Sequence, residues 1–234
     1  MRAGPDARRP PRLRGGHELR RVEDRADLRA AHGLLLLLTT PSLLLLPEGL
    51  WRWPFPLLVP LSIYAVIVAL SKALRQTADW LRAGKLSPRL IAFAALISVV
   101  SSGALVLHQV LLAPELSYMD RYLPLDLLGP PLVTAVAFSV LNPILEEVVF
   151  RGILYQAFAA YWPWHVAAAA TSVIFGAGHV GGYPPGLLGG ILAGLYGYAL
   201  AVLRRHSNGM LLVILVHAVA DTTIMALRTG PGES

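Results

Sequence analysis

The sequence predicts an all-α fold, a polytopic transmembrane helical bundle of about seven spans, and three observations carry that prediction. Of 234 residues, 55% are hydrophobic and only 15% charged, with a mean hydropathy of +0.58, too apolar for an ordinary water-soluble domain. The apolar residues come in runs close to the roughly 17–25 residues a helix needs to cross a bilayer. Basic residues gather in the short stretches between the runs, as topology determinants do.

The same counts exclude several chemistries. With no cysteine, neither a disulfide framework nor a thiolate nucleophile or metal ligand is available. The net charge of +6 is concentrated at the front of the chain, where nine arginines precede the first apolar run. That distribution indicates a basic arm beside a membrane, with no nucleic-acid partner.

Taken in order, residues 1–29 contain Pro5, Pro10 and Pro11 among the arginines and are expected to form a flexible basic tail. A secretory signal is not expected, because further spans follow without a small-residue cleavage site. The first span, residues 30–46, is near the minimum length, and Pro41 should kink it. Trp51 and Trp53 suit an interface, and residues 54–74 form a second span. The loop over residues 75–89 carries Arg75, Arg82, Lys85 and Arg89 against Asp79 alone, which marks it as cytoplasmic. A third span covers residues 90–112, and residues 113–129 form an extracytoplasmic loop.

The long run over residues 130–160 would reach about 45 Å as one continuous helix, ending at Tyr161-Trp162-Pro163-Trp164. A fifth span leads from Trp164 to His179, where Gly181, Gly182, Pro184 and Pro185 break it. A sixth, from Gly186 to Leu203, carries Gly189, Gly190, Gly194 and Gly197, small residues that let helices approach closely in lipid. The seventh follows Ser207-Asn208-Gly209 and ends near Arg228. The expected domain plan is a tail (1–29), N-terminal membrane helices (30–112), a loop (113–129), a catalytic membrane core (130–228) and a C-terminal tail (229–234). With the arginine tail inside, every strongly basic loop falls on the cytoplasmic side, so the chain is expected in a bacterial inner membrane with its N-terminus cytoplasmic.

Three charged residues, Glu146, Glu147 and Arg151, interrupt the fourth run. Each costs about 2.5–3.5 kcal/mol at the centre of a membrane helix and therefore needs a role. Glu147 and Arg151 stand at i and i+4 with the carboxylate on the N-terminal side, the favourable order for a helical ion pair. Glu146 lies about 100° round the helix and is left to meet other helices. At about 1.5 Å per residue, Glu147 before Tyr161 and His179 after Trp164 both lie roughly 20 Å from a shared interface. His217 and Asp221, one turn apart on the seventh span, fall in the same layer.

Two chemistries suit such a layer. Glu146 with His179 can activate a water for peptide hydrolysis while His217 and Asp221 polarise the scissile carbonyl. Alternatively His179, His217 and the Glu146 carboxylate are a set that zinc could use. The blocks Glu146-Glu147-Val-Val-Phe-Arg151, Phe175-Gly-Ala-Gly-His179 and His217-Ala-Val-Ala-Asp221 together resemble the CPBP family, the CAAX-protease and bacteriocin-processing intramembrane endopeptidases. The resemblance implies Glu146 as the base, His179 positioning the catalytic water, and His217 with the residue four later forming an oxyanion site; Glu147, Arg151 and Phe175 support them. In the prenyl-protein branch that last residue is usually Asn, and this chain has Asp221, which as a carboxylate cannot donate a hydrogen bond. The implied partners are a membrane-associated protein or peptide substrate and the lipid bilayer. Two other classes stay open: an inactive membrane scaffold of the same fold, and a proton-coupled transporter, although a transporter should show repeat symmetry and no polar counterpart precedes Leu112.

Overall fold

A computed structural model describes residues 15–78, 80–123 and 131–229, with side chains from residue 23 onward. The arginine-rich start of the expected tail (1–14), Asp79, residues 124–129 of the expected extracytoplasmic loop and the expected C-terminal tail from 230 lie outside the described residues. Among those described, every regular element is helical.

Helix α1 spans Gly15–Thr39, so residues 15–29 are helical and not the flexible tail expected of them. No Gly or Pro interrupts the chain between His17 and His32, and Ala, Arg, Glu and Leu dominate that stretch, which favours helix. Pro41 acts as expected of a helix breaker: the chain continues as a 3₁₀ segment over Thr40–Leu45. Pro41 has no N–H for the carbonyl four residues earlier, and Thr40 Oγ1 donates to that Leu37 carbonyl at 2.7 Å instead.

After α2 (Phe55–Leu70) and the short α3 (Lys72–Thr77) comes α4 (Pro88–Leu112), capped by Ser87, whose hydroxyl accepts from the Leu90 N–H. The fourth run is one rod with a changed pitch in its middle: α5 (Pro131–Glu147) passes into a π-helical segment, Val148–Leu154, and then α6 (Tyr155–Ala159). Three helices complete the chain: α7 (Trp164–Gly178), α8 (Gly186–Ser207) and α9 (Leu211–Arg228). Five helical segments are long and apolar enough to cross a membrane, and α2 and α7 are shorter apolar helices, in line with a bundle of about seven spans. The outer surface is apolar, with Val110, Leu132 and Leu187 each more than 70% exposed. Such a surface would invite aggregation in water and suits hydrocarbon, and the chain is accordingly an integral membrane protein.

Packing explains the glycines. Helices α7 and α8 form the most extensive pair, and a Cβ added to Gly176 would lie 2.4 Å from the Gly190 carbonyl oxygen, so only a bare backbone fits there. Helix α9 packs against α4, α5 and α8, and Leu200, Leu203, Val213 and Val216 meet Ala94 and Ile97 in one buried cluster. The central position of α9 brings its polar face against the end of α5.

Candidate active site

Successive residues on a helix diverge by about 100°, and the two glutamates at the end of α5 divide accordingly. Glu147 is fully buried, while the Glu146 side chain keeps 14% of its exposure. Immediately afterwards the π-helical turns carry Arg151 inward, to 1% exposure. Arg151 Nη1 donates to Glu147 Oε1 at 2.8 Å, and the guanidinium lies 4.3 Å from the centre of the Phe175 ring, a cation–π contact.

His179 ends α7, where the following glycines and prolines prevent another turn. Its Nδ1 donates to the Phe175 carbonyl at 2.7 Å. That bond fixes the tautomer and turns Nε2 towards Glu146 Oε2, 3.6 Å away. Phe175 stacks on His179 with ring centres 4.0 Å apart and meets Phe150 edge-on. This side chain thus holds both the histidine and the arginine in place.

On α9, His217 Nδ1 donates to Glu147 Oε1 at 2.7 Å. Its Nε2 stands 3.6 Å from Glu146 Oε2 and 3.6 Å from Asp221 Oδ1. Those separations exceed a hydrogen bond, and Glu146 Oε2 is buried with no hydrogen-bond partner in the protein. The structure therefore brings Glu146, Glu147, Arg151, Phe175, His179, His217 and Asp221 into one cluster. It differs from the sequence reading in one respect: Glu147 does not settle with Arg151 alone, because the same carboxylate oxygen also holds His217. Glu147 lies where α5 faces α9, and a spacing argument within one helix cannot register a partner 70 residues away.

Two further residues escaped the sequence reading. Asn142 Nδ2 donates to Asp221 Oδ2 at 3.0 Å; it precedes Glu146 by one helical turn, a polar residue at i−4 in an apolar run, which is the signal that could have found it. Tyr196 on α8 meets His217 edge-on, and its hydroxyl is buried without a hydrogen-bond partner; a tyrosine among apolar residues gives no such signal. His108 and His165 stay outside the cluster, packed edge-on against Tyr183 and Trp164 respectively.

Three carboxyl groups here face one guanidinium and two imidazoles in a buried setting, where charge interactions are far stronger than in water. Among the described residues no group of three or more His, Asp or Glu side chains is arranged to hold a metal ion. In the set His179, His217 and Glu146 the donor atoms are Nε2 of each imidazole and Oε2 of the carboxylate, each nitrogen 3.6 Å from that oxygen. Beside the cluster lies a cavity of about 440 Å³ between α4, α8 and α9. His179, Tyr196, His217 and Asp221 line its polar end, and Leu96, Val100, Leu192 and Leu195 its apolar walls.

Fold and site together define an integral membrane helical bundle with a buried carboxylate–imidazole cluster opening on an apolar cavity. Residues 128–223, from just before α5 well into α9, are similar to the family described as type II CAAX prenyl endopeptidase Rce1-like. The chain is also 30% identical over 128 residues to an uncharacterized 24.3 kDa protein of Escherichia coli, across 54% of this chain and 58% of that relative. The match thus spans less than two thirds of the relative's length. No solved structure matches the chain.

Proposed function

We propose that the protein is an intramembrane endopeptidase that hydrolyses a peptide bond of a membrane-associated or lipid-anchored protein or peptide, using a water activated by Glu146 and His179. One observation carries this reading: Glu146 Oε2, buried and without a hydrogen bond, faces Nε2 of both histidines at 3.6 Å beside a cavity large enough for substrate. In the proposed reaction Glu146 takes a proton from water and the resulting hydroxide attacks the scissile carbonyl carbon. His217, protonated on both ring nitrogens, stabilises the charge on the carbonyl oxygen through its Nε2–H, while Asp221, fixed by Asn142, faces the imidazolium. Collapse of the tetrahedral intermediate breaks the C–N bond, and Glu146 returns its proton to the leaving amine.

Roles for the remaining residues follow. Glu147 holds His217 with Nδ1 protonated, leaving Nε2 for the reacting groups, and Arg151 balances the Glu147 charge. Phe175 orients His179. The apolar cavity favours a substrate presenting apolar side chains or a hydrocarbon chain next to the scissile bond. The family match supports prenylated C-termini as one such substrate, whereas Asp221 in place of the Asn usual in that branch favours a broader class. The proposed setting is a bacterial inner membrane with the N-terminus and the basic loops cytoplasmic.

The test is cleavage of membrane-anchored reporter peptides by protein reconstituted in liposomes. Glu146→Gln, His179→Ala and His217→Ala should each lower turnover at least about 100-fold while the proteins still melt cooperatively. Cleavage unchanged in any one of them would overturn the mechanism. Activity that survives chelation in metal-free buffer is the expected companion result; loss on chelation with recovery on zinc addition would replace the glutamate mechanism by a metal one.

A further inference from the structure

Few of the side chains that line the cavity beside the cluster have a proton to offer a substrate. Among its described hydroxyls, that of Ser101 donates to the Ser98 carbonyl at 3.1 Å, and that of Tyr183 donates to Gln109 Oε1 at 2.9 Å. His179 gives its Nδ1–H to the Phe175 carbonyl. Asp221, held by Asn142 at Oδ2, presents acceptors only as a carboxylate. Two donors remain: Nε2–H of His217, and the hydroxyl of Tyr196, which is buried without a hydrogen-bond partner.

Helix α8 sets Tyr196 on its cavity face. Leu192 and Ala193 stand four and three residues before it and Ala199 three after it, the spacing of one helix face, and all three line the same cavity. The next residue fixes its depth. A Cβ on Gly197 would lie 2.7 Å from Arg151 Nη2 and 3.2 Å from the Phe175 ring, so the bare backbone there lets α8 close onto the cluster. The Tyr196 ring in turn meets His217 edge-on, with ring centres 5.8 Å apart.

Attack on a peptide carbonyl moves negative charge onto its oxygen, and sites for acyl transfer stabilise that charge with several donors aimed at the same atom. The hydrolytic reading above supplies one, His217. Tyr196 flanks the same imidazole from a neighbouring helix and brings a second. Its hydroxyl makes no bond inside the protein, so none has to break when the oxyanion forms.

We propose, on the basis of that hydrolytic reading, that Tyr196 is a catalytic residue whose hydroxyl donates a hydrogen bond to the scissile carbonyl oxygen as negative charge gathers there. The O–H bond stays intact, and Glu146 alone carries the proton from water to the leaving amine. The test uses the full chain in liposomes with two ligands: a membrane-anchored reporter peptide, and the same peptide with a phosphinate in place of the scissile amide, whose anionic oxygens mimic the tetrahedral intermediate. Tyr196→Phe keeps the ring against His217 and removes only the hydroxyl. It should melt at or above the wild-type temperature, lower kcat at least about tenfold with KM nearly unchanged, and weaken phosphinate binding by a similar factor. Binding of the uncleaved amide peptide should be equal in Glu146→Gln and in Glu146→Gln/Tyr196→Phe. Wild-type kcat in Tyr196→Phe, a rise in KM alone, unchanged phosphinate affinity, or a melting temperature well below wild type overturns the proposal. The hydrolytic reading itself fails by a different result, cleavage that persists in Glu146→Gln, so the two failures are told apart.

Discussion

Glu147 accepts a 2.7 Å hydrogen bond from His217, and the same carboxylate oxygen accepts another of 2.8 Å from Arg151. One buried atom thus ties α5 and α9 to the π-helical turns between them. Glu147→Ala would leave Arg151 buried and unpaired, at a cost of about 3–5 kcal/mol, and should abolish folding or lower the melting temperature sharply. Glu147→Gln keeps an acceptor and the shape but not the charge. It should remain folded and lose about 10–100-fold in turnover, the usual effect of disturbing a group that orients a reacting side chain. Thermal melts and reporter cleavage on the two variants check both statements.

Asn142 and Asp221 form a donor–acceptor pair that can be reversed. Asn142→Asp would set two carboxyl groups against each other and should lower both stability and turnover. Asp221→Asn keeps an acceptor for Asn142 and should be mild. The double exchange, Asn142→Asp with Asp221→Asn, restores the pair in the opposite sense and should recover the melting temperature lost in Asn142→Asp; no recovery would show that the two positions do not act together.

Tyr196 brings a buried hydroxyl without a protein partner to the polar end of the cavity. Removing such a group does not destabilise a fold, because no hydrogen bond is lost and a desolvated group is relieved. Tyr196→Phe should therefore melt at or above the wild-type temperature, yet lose about tenfold in kcat/KM if the hydroxyl meets the substrate. An unchanged kcat/KM would assign Tyr196 to packing against His217.

The apolar walls offer a separate handle on substrate binding. Ala104 of α4 and Ala193 of α8 both line the cavity. Ala104→Phe or Ala193→Phe would fill part of it without touching Glu146 or the histidines. KM should rise several-fold with kcat nearly preserved, measured by steady-state cleavage in liposomes. A fall in kcat alone would place the substrate elsewhere.

Much of this was legible from spacing. Glu147 with Arg151, and His217 with Asp221, stand one turn apart in sequence and in space, and counting turns placed His179 at the depth of Glu147. Helix-internal geometry is carried by local order, so a periodic pattern can report it. Contacts between helices were not legible in the same way: the sharing of Glu147 by His217, the pairing of Asn142 with Asp221 and the approach of Tyr196 depend on how α5, α8 and α9 are rotated against one another. The π-helical pitch of Val148–Leu154 also went unseen. It coincides with close tertiary packing, as a Cβ on Gly152 would lie 2.8 Å from the Trp80 ring, and such contacts leave no periodicity behind. His32 makes the same point, because its bonds to Tyr64 at 2.6 Å and Thr77 at 3.1 Å join parts of the chain far apart in sequence.

The pairing of Glu147 with Arg151 bears on how the chain is made. Because it closes within one helical rod, it can form as soon as that rod is synthesised, before α9 has left the ribosome. A segment entering lipid with Glu147 and Arg151 already paired carries two of its three charges as a neutralised pair, with only Glu146 still to be accommodated. His217 arrives at a partner that is already held in place, so the insertion of α9 completes the cluster.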